Sequence, residues 1–405
     1  MKCYICKNEN LSLFLSLGHQ PPSDAFLRPE NLNKEEVTYP LDCYFCPSCA
    51  LVQLGYAVDP ELLFRDYVYN TATNNALKAN FHELVETIIP KFKLTKDDLA
   101  VDVGANDGTL LLNYRPHEIN ILGIDPSSVA QTAKEKGIPM IVDFFNKDVA
   151  ARAVKEYGKA KVITATNVFA HVVDLDSFME GVTMLLDDKG VFITESAYIV
   201  DMVDNMLYDW VYHEHLRHYG VTALVALFER FGMEIIDVEH IKSHGGSIRV
   251  FAAKTGAHPI ANSVSEFLKS EKTRGFTNLE IYKKFASRIV ETKFKLLDIV
   301  LTLKKSGARI VGIGAPAKGN TLLNYCKLDS DMIDYLTEKS ALKIGRFSPG
   351  MHIPVVDESR LFEEQPEAAL ILPWNIADEL IPKLRKLGYK GKFILPNPVP
   401  MISDK

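Results

Sequence analysis

The chain has no stretch approaching the roughly 18 consecutive apolar residues that a membrane-crossing helix needs, so no membrane partner is expected. It has no basic excess either: 46 Lys and Arg against 52 Asp and Glu leave a net charge of −6. A basic footprint for nucleic acid is therefore missing. The opening Met1-Lys2-Cys3-Tyr4-Ile5-Cys6 has no apolar core of the kind a secretory leader carries. Cysteine is scarce, six in 405 residues, too few for a disulfide scaffold. A reducing, cytoplasmic setting is the simplest expectation. There is no fixed-period repeat and no low-complexity stretch. Hydrophobic content of 47% and charged content of 24% are ordinary for a globular protein. The length suggests two or three domains, in a monomer or small homo-oligomer.

The few cysteines are not scattered. Five of the six lie in the first 49 residues, and Cys326 stands alone. Cys3-x2-Cys6 and Cys46-x2-Cys49 form a paired-thiolate pattern that suits tetrahedral, structural zinc. The 39 residues between the pairs require a loop to bulge out between the two turns. Cys43-x2-Cys46 is also a C-x2-C, so Cys43 competes for a ligand position. Cys46 and Cys49 are preferred because they flank a Pro-Ser knuckle that leads into a strand.

Beyond about residue 61 the pattern becomes a long αβ alternation. Apolar runs at 99–103, 120–124, 138–142, 161–165 and 190–194 read as buried parallel strands, and 232–239 and 247–253 as closing strands. Helices fill about 263–306. A second alternation follows, with strands at 309–313, from 332–336, at 368–372 and at 393–395. The expected fold class is α/β, with two doubly wound sheets behind a small cysteine module.

The first strand runs into Asp102-Val103-Gly104-Ala105-Asn106-Asp107-Gly108, a D-x-G-x-x-x-G turn. Gly104 and Gly108 allow a tight turn and close approach to a ligand, with Asn106 between them. Asp125 follows at the end of the next strand, where a carboxylate can hold both hydroxyls of a ribose. Asp143 and Phe144 end the third strand and suit an adenine. The fourth leads into Asn167 and His171. This order of elements points to S-adenosylmethionine (SAM). The competitor is a nicotinamide cofactor, but the second glycine comes too late for G-x-G-x-x-G.

Residues 212–219, Tyr-His-Glu-His-Leu-Arg-His-Tyr, are dense in groups that move protons near neutral pH. A helix or tight turn over 211–216 puts Tyr212 and His215 on one face. His213 and His218 read as solvated or packing residues in preference to functional ones, and the plainer readings of Tyr219 and Glu214 are a core residue and a histidine's orienting partner. His-Glu-x-His lacks the spacing of the H-E-x-x-H zinc helix. A methyl donor beside such a cluster points to alkylation of a carbon that is first deprotonated. An O- or N-methyltransferase acting on a sugar or small polar acceptor is the alternative.

Gly312-x-Gly314-Ala-Pro-Ala-Lys318-Gly319-Asn320-Thr321 follows a strand and opens a helix without Walker A spacing. Lys318 at that N-terminus could hold a diphosphate, with Lys343, Arg346 and His352 adding charge. Trp374-Asn375 reads as packing and loop geometry.

Cys-x2-Cys…Cys-x2-Cys-Ala-Leu-Val-Gln-Leu, Asn-Val-Phe-Ala-His at 167–171, Tyr-His-Glu-His at 212–215, His-Gly-Gly-Ser-Ile-Arg at 244–249 and Gly-Ala-Pro-Ala-Lys-Gly-Asn-Thr-Leu-Leu-Asn at 314–324 together resemble the zinc-domain-containing sugar C-methyltransferases. The resemblance runs in order along the whole chain. It implies a zinc-binding domain over 1–62, with Cys3, Cys6, Cys46 and Cys49 as ligands. It implies a class I, Rossmann-like SAM domain over 63–256. Residues 257–405 would form a helical linker and a Rossmann-like C-terminal domain that contacts a nucleotide-linked 4-keto-6-deoxyhexose. By the family pattern His215 is the base at C-3, and Tyr212, Glu214 and His171 surround the sugar. Lys318, Asn320, Arg346, His352 and Tyr67 would contact the substrate. Tyr69 would contact the cofactor with Asp102, Gly104, Asn106, Gly108, Asp125, Asp143, Phe144 and Asn167. Thr71 and Ala72 replace the serines usual beside the two tyrosines.

Overall fold

The structure is a computed structural model and describes residues 1–64 and 71–403. The N-terminal segment forms three antiparallel strands, β1 (Ser12–Gln20), β2 (Tyr39–Phe45) and β3 (Val52–Leu54). β2 buries Leu41, Cys43 and Phe45 at alternate positions, the period of a half-buried strand. Helix α1 (Pro60–Phe64) follows, then α2 (Asn75–Phe92). The side chain of Asn74 caps α2 by accepting the Leu77 N–H. Leu77, Phe81, Leu84, Val85, Ile88 and Phe92 form its buried stripe.

The αβ alternation then runs β4 (Leu99–Val103), β5 (Asn120–Ile124), α3 (Ala130–Glu135), β6 (Met140–Ile141), α4 (Lys147–Tyr157), β7 (Ala160–Thr166), α5 (Leu175–Leu185), β8 (Leu186–Ala197) and α6 (Ile199–Asp204). After β9 (Arg217–His218) come α7 (Val221–Glu229), β10 (Met233–Ile241) and β11 (Ser247–Lys254). Seven of these strands form one sheet in the order β10-β11-β8-β7-β4-β5-β6. Only β11 runs against its neighbours. β4 is buried along its full length, as a central parallel strand covered on both faces must be. β9 belongs elsewhere: it pairs with β3 and extends the N-terminal sheet to the order β1-β2-β3-β9.

Helices α8 (Asn262–Thr273) and α9 (Leu279–Lys305) lead to the second doubly wound unit. It comprises β12 (Ile310–Ile313), α10 (Ala317–Cys326), β13 (Leu336–Glu338), β14 (Val355–Asp357), α11 (Ser359–Glu364), β15 (Ala368–Ile371), α12 (Ala377–Lys386), β16 (Lys392–Leu395) and β17 (Met401–Ser403). The sheet order is β14-β13-β12-β15-β16-β17. The strand expected to begin at 332–336 starts only at Leu336, because 329–333 close a turn through Ile333 N–H and the Asp329 carbonyl. β14 was invisible in the sequence, since its apolar run is too short to register.

The cysteine module joins the two larger units. Asn320 of α10 donates to the Ser23 carbonyl at 2.6 Å. Lys343 pairs with Asp24 at 3.1 Å, and Leu27 exchanges two main-chain hydrogen bonds with Phe347. Among the described residues no helix is long and apolar enough to cross a membrane.

Candidate active site

The four sulfur atoms of Cys3, Cys6, Cys46 and Cys49 lie within 4.8 Å of one another. A tetrahedron with zinc–sulfur bonds of about 2.3 Å has edges of about 3.8 Å. The pairs Cys3–Cys49 at 3.5 Å and Cys6–Cys46 at 3.4 Å fit it. Cys43 is not in the cluster: it sits within β2 opposite Leu54, and burial pushes its thiol far up.

At the carboxyl ends of β4, β5 and β7 a cavity of about 480 Å³ opens between Gly104, Asn106, Asp125, Phe144, Phe145, Asn167 and Val168. This is the ligand edge of a doubly wound sheet. Gly104 is required twice over: its φ is +75°, and a β-carbon there would meet Val168 at 2.2 Å. Asn106 donates its N–H to Asp125 Oδ2 at 2.8 Å, and Asp125 Oδ1 accepts from Ser127. A carboxylate with about four lone-pair sites keeps capacity for a ribose hydroxyl. Two aromatic side chains, Phe144 and Phe145, wall the same cavity. This donor set and apolar wall fit SAM.

Three expected contacts differ. Gly108 does not line the cavity; a β-carbon there would strike Ile138 at 2.1 Å, so this glycine serves packing. Asp143 turns away, taking the Phe144 N–H at 3.0 Å and Arg152 at 3.1 Å. Asp102 lies in the adjoining cavity, where it accepts the Thr164 hydroxyl at 2.6 Å. Burial raises its carboxyl to about 7 against that bond. Tyr67 and Tyr69 fall outside the described residues. Thr71 is held by its N–H and hydroxyl to Asn106 Oδ1.

The second cavity, about 460 Å³, shares Gly104, Asn106, Asn167, Val168 and His171 with the first. Its other walls include Tyr212, Glu214 and His215 from the turn before β9, and Lys318, Lys343 and Asn375 from the C-terminal unit. Residues 212–215 form a tight turn closed by the His215 N–H on the Tyr212 carbonyl at 2.9 Å. It brings the Tyr212 and His215 rings to 4.0 Å between centroids. His215 Nδ1 lies 2.8 Å from the Trp210 carbonyl, an acceptor only, so Nδ1 carries the proton and the lone pair is on Nε2. The His171 ring lies 5.0 Å from that of His215 and stacks on Phe64 at 5.5 Å. Burial, the neighbouring His215 and the Arg217 charge hold His171 well below the ordinary value of 6.5, so it is neutral.

Glu214 is buried, and its carboxyl is pushed well above the ordinary range by burial and Asp24, against the opposing charge of Lys343. Its surroundings therefore favour the neutral carboxyl over the carboxylate. Lys318 is buried as well, donates to Asn375 and stands over the Trp374 ring at 5.0 Å. Desolvation lowers its ammonium, against Asp209 nearby.

Asn320, Arg346 and His352 do not line either cavity. Asn320 is spent on the Ser23 carbonyl and His352 on Glu36 at 2.9 Å, both contacts to the cysteine module. The background residues of the cluster are buried. His213 reaches the Tyr39 carbonyl at 3.3 Å, His218 is 2% exposed, and Tyr219 stacks on Phe169. Asp24, Trp210 and Asn375 were not singled out as site residues. Only the fold brings them to the cavity, so no local pattern could have found Asp24 or Asn375; Trp210, five residues before His215, had proximity as a signal.

Known proteins resemble the chain along its length. Family models match in three consecutive pieces: "Putative zinc binding domain" over residues 3–64, "Methyltransferase domain" over 71–238 and "C-methyltransferase C-terminal domain" over 242–398. The chain is 30% identical over 404 residues to C-methyltransferase NovU of Streptomyces niveus, covering 99% of this chain and 96% of that one. Among solved structures, an S-adenosylmethionine-dependent methyltransferase from Clostridium acetobutylicum is 16% identical, covering 46% of this chain and 94% of its own, with a TM-score of 0.36. Magnesium protoporphyrin IX methyltransferase from Synechocystis is 14% identical, covering 45% and 88%, with a TM-score of 0.35. The protein is a SAM-dependent C-methyltransferase, and it belongs to the family its motifs resemble, the zinc-domain-containing sugar C-methyltransferases.

Proposed function

We propose that the enzyme methylates C-3 of a nucleotide-linked 4-keto-6-deoxyhexose after removing the C-3 proton. The observation that carries the reading is the pair of histidines, 5.0 Å apart between ring centroids: His171 lines both cavities, and His215 lines the second. SAM, when bound, supplies an electrophilic methyl group to the deprotonated carbon. His215, with its lone pair on Nε2, takes the C-3 proton. The negative charge that develops on the C-4 oxygen needs a donor that does not itself ionise. Neutral His171 can give an N–H there, and Glu214, whose neutral form burial favours, can give an O–H. The Tyr212 hydroxyl lines the same cavity as a further donor. In the same cavity, Lys318 and Lys343 offer cationic side chains to a diphosphate.

The test is a panel of nucleotide-linked 4-keto-6-deoxyhexoses incubated with SAM and read by mass. Addition of one methyl group to at least one member supports the reading. No methylation across the panel, with SAM binding intact, overturns it.

A further inference from the structure

Arg217 is one of the largest fully buried side chains, 1% exposed, and the mechanism above does not use it. Its Nη2 donates to the carbonyl of Val172, the residue after His171. On its other side the guanidinium stands 4.7 Å from the centre of the Tyr4 ring. Tyr4 lies between the ligands Cys3 and Cys6. Nε and Nη1 make no hydrogen bond of good geometry among the described residues, and the guanidinium's other polar neighbour is the Tyr219 hydroxyl. A buried cation so poorly satisfied is costly unless a counter-charge is near. Four thiolates around a divalent ion make a net negative centre, and the knuckle that would hold it is next to this cation.

The main chain makes the same connection. β9, which begins at Arg217, pairs with β3, with Gln53 opposite Arg217. Leu54 N–H also donates to the Leu216 carbonyl at 2.9 Å. Gln53 in turn accepts the Tyr4 N–H at 2.9 Å and donates to the Lys2 carbonyl at 3.2 Å. β3 begins three residues after Cys49, and His215 lies two residues before Arg217. The knuckles, the edge of the N-terminal sheet and both histidines thus form one continuous set of contacts.

We propose that Arg217 is a positioning residue for the proton-transfer pair, holding His171 and His215 against the cysteine module so that metal occupancy there governs turnover. This rests on the reading of His215 and His171 given above. Arg217 touches no reacting atom; it acts through the Val172 carbonyl and through the strand that carries the His215 turn.

The test compares the zinc-loaded full-length protein with Arg217→Gln, Arg217→Lys and Tyr4→Leu. Two quantities are read: the rate at which a chelator removes zinc, and kcat and KM with a 4-keto-6-deoxyhexose nucleotide. Partners one layer out from a metal commonly change affinity or activity about 10- to 100-fold. Arg217→Gln is expected to release zinc about tenfold faster and to lose at least about 30-fold in kcat, with KM for SAM within about threefold. Arg217→Lys keeps the charge and recovers most of both losses. Wild-type kcat in Arg217→Gln overturns the proposal, and so does a fall in kcat with unchanged zinc release. Should Arg217→Gln fail to fold, Tyr4→Leu decides: faster zinc release with lower kcat supports the link, and no change in either overturns it. If wild-type protein methylates no keto sugar, the proposed function fails, and the zinc-release comparison still decides whether Arg217 serves the metal knuckle.

Discussion

The indole of Trp210 lies parallel to the imidazole of His215, with centroids 5.6 Å and planes 8° apart, while the carbonyl of the same Trp210 accepts the His215 Nδ1–H at 2.8 Å. One residue therefore sets both the tilt of the ring and the nitrogen that bears the proton. A base held this way presents Nε2 in a single orientation before substrate arrives. His215→Asn removes that lone pair and leaves the SAM cavity untouched. Its kcat should fall by about 10² to 10⁴, while SAM affinity by calorimetry stays within about threefold. Near-normal turnover would remove His215 from the role of base.

Glu214 leads to a less obvious expectation. Because burial and Asp24 push its carboxyl upward and favour the neutral form, its proposed role is that of a donor. Glu214→Gln keeps a donor of the same shape and should hold kcat within about tenfold of wild type. Glu214→Ala leaves a hole and removes the donor, and should cost about 100-fold. Equal losses in the two variants would mean that the ionised carboxylate is what matters.

The cysteine count can be settled by zinc content and melting temperature. Cys46→Ser should lose zinc and melt much earlier, because closed zinc sites contribute directly to folding. Cys43→Ala should keep a full equivalent of zinc, since Cys43 faces the core of β2 and stands apart from the four-sulfur cluster. Its cost should be limited to a small core cavity, about 1 kcal/mol.

Acidification charges two buried histidines at a cost in stability, opposed over the same range by the buried carboxyls of Asp102 and Glu214, which take up protons in the native protein. Burial lowers His213 from 6.5 to about 4 and His218 from 6.5 to about 3, with His215 adding to the latter. Below pH 6.5 the unfolded chain binds these protons and the native protein does not, so unfolding becomes easier as pH drops. The loss begins near pH 6.5 and continues to about 3–4, and His213 alone contributes on the order of 3 kcal/mol. Measured from pH 7.5 to 4.5, the melting temperature of His213→Phe relative to wild type should therefore rise as the pH falls, because only the wild type has to charge this buried imidazole. A difference between the two proteins that does not change with pH would show that the His213 imidazole is already charged in the native protein.

What could be read from the sequence follows from the range of the interactions. The zinc knuckles, the Gly104 turn, Asp125 and the Tyr212–His215 turn are local patterns, each set by neighbours a few residues apart, and they lie where their spacing implied. Lys318, singled out at the opening of a helix, lines the second cavity. Asn320 and His352 were placed at the substrate because polar and charged groups near a glycine turn suggest phosphate. The long-range docking of the cysteine module claims both instead. Asp143 was drawn off by Arg152 on the next helix, and Gly108 by the core position of Ile138. Asp24 and Asn375 reach the site only through the assembly of three units, which no local pattern encodes.

The central claim is carbon alkylation at an enolisable position next to a ketone. It is tested most directly by NMR of the product made from a 4-keto-6-deoxyhexose nucleotide and SAM. The account predicts a new methyl on carbon at C-3, together with deuterium exchange at C-3 in D2O that His215→Asn abolishes. A methyl on oxygen or nitrogen, with the C-3 proton retained, would contradict it.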